Sequence, residues 1–67
     1  MKNKVRLLKN NEVVWEFEFI SRMIAEEFFG NELMKLGKTK MLDYSHGAHG
    51  RVALYEGNME LHLKEEY

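Results

Sequence analysis

SRMIAEEFFGNELMKLG, residues 21–37, is the one stretch of this 67-residue chain that reads as a helix, and both flanks read as strand and turn. Its ends are marked. Ser21 is a preferred N-cap, because its hydroxyl accepts a bond from a first-turn N–H that has no partner within the helix. Ile20 stands just before it, at the place of a hydrophobic staple. Lys35 and Lys38 lie near the far end, where the helix dipole favours cations, and Gly37 is the expected left-handed stop. At about 100° per residue, Ile24, Ala25, Phe28, Phe29, Leu33 and Leu36 share one broad apolar side, on which Glu32 and Lys35 intrude. A continuous helix is expected; a break at Gly30-Asn31 is the alternative that would re-register Leu33 and Leu36. In the continuous helix Met23, Gly30 and Met34 line up on a second flank, read as peripheral core ahead of a contact surface for another chain.

A lone helix in so short a chain has to cover a sheet. On the N-terminal side, residues 4–8 and 13–19 alternate as two arms of a hairpin, with Val5, Leu7, Trp15 and Phe17 on an inner face and charged residues on the outer one. A two-residue Asn10-Asn11 loop splits the apolar sets between the two faces and is disfavoured. A three-residue loop, either Lys9-Asn10-Asn11 or Asn10-Asn11-Glu12, keeps them together, and sequence does not choose between the two. The second register pairs Val5 with Phe17, Leu7 with Trp15, and Arg6 and Lys4 with Glu16 and Glu18.

On the C-terminal side, residues 38–44 read as a third strand with Leu42 and Tyr44, or Met41, turned inward. Residues 45–50 follow as a loop. Residues 51–56 and 59–64 then form a hairpin about Gly57-Asn58, where a two-residue turn pairs Leu54 with Leu61 and Val52 with Leu63 inside, and puts Tyr55 and His62 outside. Residues 65–67 are expected to fray. The expectation is one α+β domain over residues 1–67: an antiparallel sheet with one covering helix, in the order ββαβββ.

Composition bounds the function. Apolar residues make up 45% and charged residues 31%, an ordinary globular balance. A domain this small buries only about 60% of its unfolded surface, so its core is thin. There is no cysteine, which removes disulfides and thiolate metal sites. Charges interrupt every apolar run, so no secretory or membrane-spanning segment is read and a cytoplasmic location is expected. Ten basic and eleven acidic residues leave a net charge of −1, without the basic excess that strong nucleic-acid binding needs.

Three groups of residues are candidates for chemistry. Asp43, His46 and His49 carry ligand types suited to a divalent metal, but on a loop they lack the fixed spacing of a helical motif. Gly47, Ala48 and Gly50 beside Arg51 can be read as a phosphate cradle, although no phosphate-loop spacing is matched. Lys38, Lys40, Arg51 and Tyr55 are the cations and aromatic of a nucleic-acid platform, whereas Trp15, Phe17 and Phe19 read as core. No catalytic signature is present and no cofactor is called for. The reading is of a small non-enzymatic module that binds another protein, an adaptor or inhibitor of phage or plasmid type and a candidate homodimer, with Met23, Met34, Tyr55 and His62 as contact residues. Nucleic-acid binding, and metal or phosphate binding at the His46-His49 loop, are the alternatives.

Overall fold

The computed structural model describes residues 2–47 and 50–66. The elements are β1 (Lys2–Lys9), β2 (Glu12–Phe19), α1 (Arg22–Leu36), β3 (Met41–His46), β4 (Gly50–Tyr55) and β5 (Met59–Glu66). All strands are antiparallel in one sheet of order β2-β1-β5-β4-β3, with α1 packed on one face, so the α+β class and the ββαβββ order are as expected. The first and last strands therefore meet at the centre of the sheet. Glu65 and Glu66 do not fray: they continue β5 opposite Asn3 and Lys2. Tyr67 lies outside the described residues.

The helix is continuous through Gly30. Ser21 caps it, its Oγ accepting the Ile24 N–H at 3.4 Å. Two terminal expectations fail. Ile20 is 96% exposed and staples nothing. Gly37 ends α1 in the right-handed region (φ −56°), its N–H donating to the Met34 carbonyl, so the helix closes by a tightened last turn without a left-handed residue. Ala25 and Phe29 are fully buried, and Phe28, Leu33 and Leu36 pack around them on Val5, Ala53, Tyr55, Leu61 and Leu63. Burying each of the larger of these side chains contributes roughly 1.5–3 kcal/mol. Phe28 reaches toward β2, with ring centroids 5.9 Å from Trp15, 5.4 Å from Phe17 and 5.1 Å from Phe19. Trp15 and Phe19 thus pack on the core under Phe28, but Phe17 keeps 50% of its surface exposed and is not core, and Ile24, expected on the apolar side of α1, is 54% exposed.

The first hairpin combines features that the sequence presents as exclusive. Its loop is the two-residue Asn10-Asn11 turn, with both residues at positive φ (54° and 65°) as a type I′ turn requires. An extra residue in β2 then restores the apolar register: Leu8 faces Val13 but Leu7 faces Trp15, so Val14 is the bulge. Beyond it, Val5 faces Phe17, Arg6 faces Glu16 and Lys4 faces Glu18.

The second hairpin corrects the expected register. Its loop has three residues, Glu56-Gly57-Asn58, because Tyr55 pairs with Met59 and Ala53 with Leu61. A one-residue slip turns every side chain of β4 over. Ala53 and Tyr55 point into the core, while Val52 and Leu54 lie on the outer face beside His62 and Glu60. The two hairpin turns then touch: the Asn10 N–H donates to the Asn58 carbonyl at 3.0 Å, and Asn58 Nδ2 to Asn10 Oδ1 at 3.3 Å.

Candidate interaction surface

Where α1 lies decides what is left bare. It follows β2 directly, and it packs over β2, β1 and β5. Strands are spaced about 4.8 Å apart and a helix is roughly 10 Å across, so one helix does not reach both edges of five strands. The far edge, β3, is exposed along its whole length. On it Met41 is 48%, Leu42 60% and Tyr44 39% exposed.

The β3 register places these side chains. Tyr44 pairs with Ala53 and His46 with Arg51, so both share the helix-bearing face, and Met41 joins them opposite Tyr55. An irregularity between Met41 and Asp43 sends Asp43 and then Ser45 to the outer face. Between the inner face of β3 and the last turns of α1 runs a groove of about 430 Å³ lined by Leu33, Met34, Lys40, Met41, Tyr44 and Tyr55. Tyr55 is 2% exposed, and its hydroxyl is buried with no hydrogen-bond partner. Burial pushes its phenol above the usual value, which keeps it neutral.

Of the four residues expected to contact a partner, the structure brings two to this groove. Met34 is on its rim, 80% exposed, and Tyr55 lies beneath it. Tyr55 is not on the outer face: the three-residue turn rotates it into the core and leaves it no free surface. Met23 is 75% exposed on the same helix flank, two turns and more from the groove, so the methionine flank is not peripheral core. His62 lies on the opposite face of the sheet, across from Arg6 and Val52, with Nε2 3.2 Å from a Glu60 carboxylate oxygen. There it borders an open depression of about 590 Å³ with Ser45, Val52 and Lys64.

The residues of the nucleic-acid alternative do not assemble into one platform. Lys40 lies beside Glu56 at one end of β4, its ammonium 3.8 Å from that carboxylate, while Arg51 lies at the other end, 3.2 Å from Glu26. Tyr55 is buried between them. Lys2, Lys4 and Arg6 on β1 are also matched with carboxylates on the outer face: Lys2 with Glu18, Lys4 with Glu66 at 2.9 Å, and Arg6 with Glu16 at 2.6 Å.

The metal alternative loses its geometry as well. Asp43 and His46 project to opposite faces of β3, and His49 lies outside the described residues. Among the described residues no three His, Asp or Glu side chains cluster as ligands. Gly47 donates its N–H to the Gly50 carbonyl at 2.8 Å, so that amide is not free to cradle a phosphate. Among the described residues no helix is long and apolar enough to cross a membrane.

Met41 and Tyr44 read from the sequence as strand residues but not as a surface. The signal for it was the width of one helix set against the number of strands. Comparisons with models of protein families, with curated proteins and with solved structures find no match to this chain.

Proposed function

We propose that this protein is a small non-enzymatic module that binds another protein through β3 and the adjoining flank of α1. The observation that carries the reading is the groove between α1 and β3, bordered by the exposed apolar side chains Met34, Met41 and Tyr44, with Leu42 exposed on the same strand; Val13, Val14, Phe17, Met23 and Ile24 are also exposed, on β2 and the first turn of α1. Contiguous exposed apolar surface, bordered by polar residues, is what interaction sites present and what isolated monomers rarely keep. An edge strand bare on both faces is a liability unless something covers it. Methionine suits such a surface, being flexible and polarizable. The module acts as an adaptor or inhibitor by occupying its partner.

The test is size-exclusion chromatography of the protein from the cells that make it, at native abundance. The wild type elutes in a complex much larger than its own 8.0 kDa. Met34→Glu with Tyr44→Glu, both outside the core, returns it to the free position without loss of helix or sheet signal in circular dichroism. A wild type that elutes free, or a complex that survives the double substitution, contradicts the reading.

A further inference from the structure

We infer that the groove between α1 and β3 docks an acidic amphipathic helix of a different protein. The inference rests on the protein-binding reading above and names the class of partner.

The edge of β3 argues for side-chain docking over strand addition. The Tyr44 N–H donates to its own neighbour's Asp43 Oδ1 at 2.8 Å, which withdraws a main-chain donor that an added strand would need. A helix satisfies its own main chain and asks only for side-chain contact.

The charge of the groove selects the occupant. Its lining contains no carboxylate, and its one charged member is Lys40. Lys38 stands on the adjoining turn and forms no ion pair among the described residues. Lys40 and its neighbour Glu56 are both well exposed at 3.8 Å, a separation and exposure that leave the ammonium open to a better partner. In a chain of net charge −1 this is a local cationic rim around an apolar strip. A second copy meeting this face about a two-fold axis would bring Lys38 and Lys40 near their own mates, with Glu56, already beside Lys40, as the carboxylate to offset them. Complementarity therefore points to an acidic partner.

The shape of the flank suits a helix. Gly30 lies between Met23 and Met34 on one side of α1, and a Cβ placed on it would meet nothing within 4 Å. A bare stretch of helix backbone lets a neighbouring element approach closely, with a methionine on either side to adapt to it. The eleven residue steps from Met23 to Met34 span about 16 Å, three turns of a partner helix.

The experiment titrates the full-length protein, by fluorescence anisotropy at low salt, into a labelled peptide of about 16 residues built from Leu, Ala and Glu, with Leu at helical spacing. The same peptide with Lys for Glu, and vesicles of anionic phosphatidylglycerol, are the comparisons. The acidic peptide is expected to bind at least about tenfold more tightly than the basic one and to weaken as salt is added. Lys38→Glu with Lys40→Glu reverses that preference, and Met41→Asp abolishes binding by either peptide. Equal affinities, no binding of the acidic peptide, an unreversed preference, or association with the vesicles in place of the peptide overturns the inference. If the acidic peptide fails while the Met34 and Tyr44 substitutions still release the native complex, the partner class is wrong and protein binding stands. If the complex is also absent, both fall together.

Discussion

The Asp43 carboxylate accepts the main-chain N–H of Tyr44 at 2.8 Å, so β3 guards part of its own open edge. Unpaired edge N–H groups template the addition of further strands, and a carboxylate held over one of them opposes that both by occupying the donor and by its charge. Asp43→Ala is therefore expected to change stability by less than about 0.5 kcal/mol while raising the tendency to self-associate. Sedimentation velocity across a concentration series checks it. A variant that associates no more than the wild type would remove the guarding role.

Phe29 is fully buried at the centre of the contact between α1 and the sheet, whereas Met34, on the same helix, is 80% exposed. Phe29→Ala is expected to cost about 3–5 kcal/mol. That approaches the whole stability of a domain this small. Met34→Ala should stay within about 0.5 kcal/mol. Urea denaturation followed by Trp15 fluorescence measures both, and comparable losses at the two positions would mean that the inner and outer sides of α1 are wrongly assigned.

Two glycines make opposite predictions. A Cβ at Gly50 would overlap the Leu63 carbonyl oxygen, a main-chain atom of the neighbouring strand that has no room to move. Gly50→Ala should lose about 1–3 kcal/mol or more. Gly30 faces open space within a regular helix, so Gly30→Ala should gain about 0.5–1 kcal/mol. Thermal unfolding of the two variants against the wild type distinguishes these signs.

The Lys4 ammonium, hydrogen-bonded to Glu66 at 2.9 Å, holds that carboxyl below its ordinary value. A depressed carboxylate stabilises the fold above its unfolded pKa, and the contribution is lost as pH falls through the folded one. The urea midpoint should therefore drop between about pH 5 and pH 3. Glu66→Gln should make that drop shallower, and added salt should do the same because the pair is near the surface. An unchanged acid limb in Glu66→Gln would show that the pair contributes nothing.

The parts of the fold that were legible in the sequence are those where two signals agree. Helical spacing and the Ser21 cap coincide in α1, and Trp15, Phe17 and Phe19 alternate with glutamates, so inside and outside are unambiguous there. In β4 they are ambiguous, because Val52 and Leu54 form one apolar set and Ala53 and Tyr55 form another. The turn then sets the register, and Glu56 joining the turn inverts it. The bulge at Val14 was hidden for a similar reason: a two-residue turn and a matched apolar face look incompatible until one residue is allowed to loop out. Met23 and Met34 were visible as a flank, but their exposure depends on how far one helix reaches across five strands. Periodicity holds no information on that reach, and the topology that sets α1 over β2, β1 and β5 supplies it.

The most direct test of the account is photo-crosslinking in the cells that make the protein, with a benzophenone side chain placed at Met34 or at Ile20. Both positions are exposed and apolar, at 80% and 96%, but only Met34 borders the groove beside β3. One discrete crosslinked protein is expected from position 34 and none from position 20. Crosslinks of equal yield from both positions, or from neither, would contradict it.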